Sequence, residues 1–286
     1  MRLDILEAVS EAEPRPGRVN EDVYGAIERA VWVLDGATGI AEQRILPGPS
    51  DARWVVDIID AALRREVDNA RPLAEVMRDV ARMAMAAFAR DALRRGAPAM
   101  DMPCACLALL RLVGTRLEFA NIGDCRILHR RTDGSVSCFG SSKLSGLDEG
   151  LRQEVIRWQA TGLRHDEVWP LILPSIRRNR GLMNEAEGYW ILDLSERWIE
   201  HVETMSVIAV PSDVLLLVTD GFWRLVDIYG RYDVESLFAA ALSGGLRPLA
   251  AELRAIEAAD EECRRHPRLK TRDDATAVLV RIAEYL

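Results

Sequence analysis

Val214-Leu215-Leu216-Leu217-Val218-Thr219-Asp220-Gly221 is the stretch from which the fold is read. Its short apolar run matches a strand buried on both faces, and the Asp-Gly that follows can turn a carboxylate out over the sheet edge while the chain bends sharply. Val31-Trp-Val-Leu-Asp-Gly36 has the same form, ending in Asp35 and Gly36. Asp124 stands between two strands in Ile122-Gly-Asp-Cys125, and Asp273-Asp274 opens a final strand, Ala275 to Ile282. A lone Asp-Gly reads as an ordinary turn. Four strand-end acids in one chain read as a metal centre, because gathered carboxylates repel unless a cation neutralises them, and Mg²⁺ and Mn²⁺ take oxygen ligands.

Outward from these anchors, residues 3 to 9 and 23 to 34 read as strands, and 50 to 69 and 72 to 95 as helices. Trp54, Ile58, Ala61 and Ala62 recur at helical spacing after Ser50 or Asp51 as a cap. Three strands follow at about 104 to 113, 115 to 121 and 125 to 131, with turn signals at Gly114-Thr115 and Asp133-Gly134. A helical stretch over 233 to 263 precedes the last strand. This order, without βαβ alternation, predicts a layered α+β architecture. Residues 141 to 200 differ in texture, holding four of the seven tryptophans (Trp158, Trp169, Trp190, Trp198) and the basic run Arg177-Arg178-Asn179-Arg180.

The chain has 286 residues, 49% apolar and 29% charged, with a net charge of −8. The length allows one large domain or two and a sizeable core. The acidic balance argues against nucleic acid and against an anionic membrane as partners. Only two of the 37 basic residues are lysines, Lys143 and Lys270; the arginines are scattered, a pattern we read as codon bias. The N-terminus lacks a signal-peptide pattern and no apolar run approaches the roughly 20 residues that span a bilayer, so the cytosol, with reduced thiols, is the expected place. Cys104 and Cys106 face one side of a strand and read as buried small residues, not as half of a zinc site. No glycine-rich nucleotide loop and no G-x-S-x-G is present; His129, His165, His201 and His266 read as surface or packing residues.

Asn20-Glu-Asp22, Asp35-Gly-Ala-Thr-Gly39, Gly123-Asp-Cys-Arg126, Thr219-Asp-Gly-Phe-Trp223 and Asp273-Asp-Ala-Thr276 together resemble, in order and spacing, the metal-dependent protein phosphatases of the type 2C class. The resemblance runs over the whole chain and is to bacterial, divergent members. It implies a single domain over 1–286 with a four-layer α-β-β-α sandwich of two central antiparallel sheets, and a variable flap-like region at about 141–200. It implies two Mn²⁺ or Mg²⁺ ions and a weaker third. Asp35 would bridge the pair, Gly36 would give its carbonyl to one ion, and Asp220 and Asp273 would bind the other. Glu21 and Asp22 would hold metal-bound waters, and Asp124 with Asp220 the third ion. The implied reaction is hydrolysis of phosphoserine or phosphothreonine monoesters by a metal-activated water, with no covalent intermediate.

Three positions depart from the family pattern. The phosphate-binding Arg usually lies four residues before Glu21, where Gly17 stands; Arg18 and Arg15 are its neighbours. Ala37 replaces a His that protonates the leaving group, and Arg224 replaces an acid. Arg18 and Arg224 are therefore the candidate phosphate ligands. The expected partners are a phosphorylated protein substrate and a cognate kinase, the expected state a monomer. A catalytically weak regulatory module and a phosphatase of small phosphorylated metabolites stand as alternatives, since fold does not settle substrate. The arginine run at 177 to 180 reads as a solvated basic face or a dock for the phosphosubstrate, and the tryptophans near it as core.

Overall fold

The computed structural model describes residues 1–284 except 41–42, 69, 94–95, 97, 99–100 and 141–142. The far ends of both expected N-terminal helices and the first residues of the flap-like region therefore lie outside the described residues. Among the described residues, ten strands fall in two five-stranded antiparallel sheets. One has the order β1 (Arg2–Glu11), β10 (Ala275–Ala283), β9 (Val214–Val218), β6 (Arg126–Arg130), β7 (Val136–Phe139). The other runs β2 (Asp22–Ile27), β3 (Ala30–Ala37), β4 (Cys104–Val113), β5 (Arg116–Ile122), β8 (Glu203–Ile208).

Strand alternation divides the apolar residues into layers. Val31, Val33, Cys104, Cys106, Ala108, Leu110, Leu215, Leu217, Val278 and Val280 fill the space between the sheets. Trp32, Leu34, Leu107 and Leu109 face the other way and pack against α1 (Asp51–Glu66) and α2 (Leu73–Asp91). Leu128, Leu216, Val218 and Leu279 pack against α5 (Asp220–Asp227), α6 (Val234–Gly244) and α7 (Leu246–Ala258). The result is the expected helix–sheet–sheet–helix stack. β9 is apolar throughout because it is the middle strand of its sheet, covered on both faces.

Local chemistry sets the element ends. The Ser50 hydroxyl accepts from the Arg53 N–H at 3.0 Å and caps α1. Gly245, at φ 85°, splits the helical stretch expected over 233 to 263 into α6 and α7. The Glu7 carboxylate, reaching from β1, accepts from the Leu246 N–H at 2.8 Å and so satisfies the start of α7. The single strand expected over 23 to 34 is a hairpin, with β2 and β3 paired antiparallel so that Asp22 stands opposite Asp35. β7 and β8 were not expected. The 141–200 region contains a helical hairpin, α3 (Lys143–Gln159) and α4 (His165–Arg180), with its own small core of Val155, Val168 and Ile172. Among the described residues no helix is long and apolar enough to cross a membrane.

Candidate metal centre

The acids converge because the strand ends that carry them lie at one end of the sandwich. Asp35 is in phase with Val31 and Val33, so its side chain faces the space between the sheets where β3 runs out. Asp22, its cross-strand partner, shares that face, where like charges are destabilising. β9 ends into Asp220 at the start of α5, and antiparallel β10 begins just after Asp273-Asp274. Asp124 lies in the turn from β5 to β6, placed by Gly123 at φ 88°, where a side chain would strike Cys106. Gly221 is needed for a different reason: a Cβ there would sit 1.8 Å from the Asp274 carbonyl oxygen.

Burial and mutual repulsion dominate the electrostatics. Burial, then the charges of Asp220, Asp22 and Asp124, pushes the Asp35 carboxyl well above the usual carboxylate range. Asp22 is raised by burial and by Asp274 and Asp220, against the opposing hydrogen bond from the Thr219 hydroxyl at 2.8 Å. Asp124 is pushed up to about 6 by burial and by Asp220, and its Oδ1 is buried without a partner. Asp273 goes the other way: burial would raise it, but Lys270 and Arg224 outweigh that and hold it low. Arg224 Nη2 lies 2.6 Å from Asp273 Oδ2, and Lys270 Nζ lies 2.9 Å from Oδ1. Both oxygens of Asp274 are also taken, by the N–H groups of Glu13 and Glu21 at 2.7 and 2.6 Å.

Among the described residues no three carboxylates already stand as a metal cage. The donor chemistry nevertheless fits a hard divalent cation: hard oxygen donors, carboxyls at Asp22, Asp35 and Asp124 whose crowding disfavours their charged forms until a cation joins them, and an orphaned oxygen on Asp124. Asp273 alone is already neutralised by protein cations.

Asp35, Gly36, Asp124, Asp220, Asp273, Glu21 and Arg18 all line one cavity of about 1190 Å³. Glu21 accepts from the Thr38 hydroxyl at 2.8 Å. Asp22 is buried beneath this surface. Arg18 is half exposed and pairs with Glu13 at 2.6 Å, as does Arg15. Arg224 does share a face of α5 with Asp220, but it is 7% exposed and also faces Glu257 at 3.7 Å. It stands behind Asp273, outside the cavity lining.

Two site residues were not legible in the motifs. Asp148, on α3, lines the cavity and faces the charges of Asp124 and Asp220. Lys270 lines it too, three residues before Asp273; its rarity in an arginine-rich chain is the one available signal. Trp169 departs from the expectation of core: it is 44% exposed and lines the cavity, whereas Trp198 is fully buried. The four histidines pack as expected. His129 pairs with Asp213 at 2.8 Å, His201 stacks on Trp190, His266 meets Tyr229 edge-on and His165 hydrogen-bonds the Leu269 carbonyl oxygen.

Residues 15–155, just under half of the chain, match the sequence model of the family described as protein phosphatase 2C. The fold of the chain is similar to that of the Mycobacterium tuberculosis serine/threonine phosphatase PstP/Ppp, at 19% identity and a TM-score of 0.60 over 99% of this chain and 100% of that one. A second structure, the catalytic domain of PstP in complex with two manganese ions, aligns at 18% identity and a TM-score of 0.56 over 99% of each chain. PppA of Pseudomonas aeruginosa, described as a key regulatory component of T6SS, aligns at 18% identity and 0.57 over 98% of each chain. No curated protein matches the sequence.

Proposed function

We propose that this protein is a protein phosphatase 2C member and a Mn²⁺- or Mg²⁺-dependent hydrolase of phosphoserine and phosphothreonine monoesters. The observation that carries this reading is the set of half-buried, mutually repelling carboxylates at Asp35, Asp124 and Asp220 on the floor of one cavity. Such a set needs a cation, and the manganese-bound PstP structure has the same fold. Asp35, the Gly36 carbonyl, Asp220 and Asp273 would hold two ions, with Glu21 and Asp22 positioning their waters and Asp124 serving a third. Ions bound there supply a water acidic enough to act as a nucleophile at neutral pH.

The protein's own residues supply the rest. Arg18 is our phosphate ligand, since a guanidinium suits phosphate oxygens in a bidentate contact and its partner Glu13 is reached from an irregular loop. Arg224 keeps Asp273 in place. The α3–α4 hairpin walls the cavity with Leu147, Leu151, Trp169, Leu173 and Ile176, and Arg177 reaches its rim. We assign it the selection of the substrate's flanking chain. The substrate is thus a phosphoprotein, the product of a cognate kinase, handled by a single-domain monomer in the cytosol, where the five free cysteines stay reduced.

A second reading, a binding module of weak turnover, is favoured by one observation: both Asp273 oxygens are occupied by protein cations. A panel decides between the readings. Mn²⁺-loaded protein is offered phosphoserine and phosphothreonine peptides beside small phosphorylated metabolites. Faster release of phosphate from the peptides supports the proposal. Preference for a metabolite moves the substrate class, and no release from any of them favours the binding module.

A further inference from the structure

Asp273 is the only acid of the cluster whose charge the protein itself cancels, and its two cations are unlike. Arg224 is buried, and its guanidinium also donates to the Lys270 carbonyl oxygen at 3.4 Å and faces Glu257. It is a fixed part of the fold. Lys270 has an exposed side chain, 54% accessible, that pairs with Asp273 Oδ1 at 2.9 Å. That oxygen also accepts from the Asp274 N–H at 3.2 Å, so it already has an anchor when the ammonium leaves. Both the ammonium and Asp273 line the cavity that holds Asp35 and Asp220. In a chain with 37 basic residues, only Lys143 and Lys270 are lysines. A lysine is a compact charge on a flexible stem, able to withdraw, where an arginine would clamp the carboxylate in a fork.

We propose that Lys270 is a displaceable counter-ion of Asp273, which a divalent metal must push aside to reach that carboxylate. Arg224 keeps the carboxylate aimed while Lys270 blocks its Oδ1. The metal-free site is thereby held partly neutral, and ion binding at Asp273 becomes a competition between two cations for one oxygen. The inference rests on the reading of the acids as metal ligands, and makes Lys270 a positioning residue that sets metal affinity.

Mn²⁺ binding to the EDTA-treated full chain, followed by titration calorimetry, tests it without reference to turnover. The binding step that disappears in Asp273→Asn identifies the site to compare. In Lys270→Met, which keeps the stem and loses the charge, that step should tighten by about tenfold or more, the scale of a lost charge-assisted hydrogen bond. Lys270→Arg keeps the charge and should bind no more tightly than wild type. Arg177→Ala, a charge removed elsewhere on the cavity rim, should change the affinity by less than about twofold, because a solvent-exposed charge at a distance is screened. Equal affinity in wild type and Lys270→Met overturns the inference, as does tightening of the same size in Arg177→Ala. If neither wild type nor any variant binds Mn²⁺, the metal reading of the acids fails and the inference with it.

Discussion

Asp35→Asn should make the metal-free protein more stable and the enzyme inactive. Asp35 is half-buried beside Asp22, Asp124 and Asp220, and burial followed by those charges disfavours its ionised form. Asparagine keeps the shape and removes the charge. One pKa unit of such repulsion corresponds to about 1.4 kcal/mol, so relief of the order of 1–3 kcal/mol is expected near neutral pH. At about 2–4 °C per kcal/mol for a large domain, the melting temperature in EDTA should rise by roughly 2–12 °C. Saturating Mn²⁺ reverses the order. At a hundred times its Kd the ion should add about 2.7 kcal/mol to wild type and much less to the variant, which has lost the carboxylate proposed to hold it. Scanning calorimetry of both proteins at pH 7.5, with EDTA and then with Mn²⁺, reads both effects, and aryl phosphate hydrolysis reads the third. An Asp35→Asn protein that melts below wild type in EDTA, or that keeps the full Mn²⁺ response, would refute the argument that a repelling acid cluster waits for a cation.

Gly221→Ala forces a Cβ onto the Asp274 carbonyl oxygen, so it should destabilise by about 1–3 kcal/mol and shift Asp220, lowering kcat; a normal melting curve with full activity would contradict the packing. Removing the Arg177 charge together with Trp169→Ala should raise KM for a phosphopeptide and leave a small aryl phosphate almost unchanged, whereas equal loss on both would mean that the hairpin supports the metal site instead. His129 is held below its usual pKa by burial, against the opposing pull of Asp213, and its Nδ1 has no partner. The unfolded chain therefore takes up a proton near pH 6.5 that the folded chain resists. This contribution to stability is present above about pH 6.5 and lost as pH falls toward the lower folded value. His129→Gln, which can still donate to Asp213, should flatten that slope in melting temperature against pH.

Much of this arrangement could be read from residues alone because strand ends are local. The apolar run before Asp220-Gly221 and the one before Asp35-Gly36 each announce a buried strand and a turned-out acid, and pairing in the sheets brings both to one end. The phase of Cys104 and Cys106 likewise placed both thiols between the sheets. The hairpin at β2–β3 was hidden because its turn, Glu28-Arg29, carries no glycine, proline or asparagine signal. Gly244-Gly245 did carry a signal, and the helix divides there. Arg224 has the helical spacing to Asp220 that a shared site requires, yet tertiary packing buries it behind Asp273. Asp148 reaches the cavity from a segment distant from the other acids, a convergence of the packed layers that no single window of sequence contains, and the role of Lys270 shows only once Asp273 is placed beside it.

The most direct test of the central claim is the rate of aryl phosphate hydrolysis by EDTA-treated protein as Mn²⁺ is added back, with Asp220→Asn measured alongside. No turnover is expected without the ion, saturable activation with it, and no activation in the variant. Hydrolysis that proceeds equally well in EDTA, or Asp220→Asn protein that Mn²⁺ activates like wild type, would contradict it.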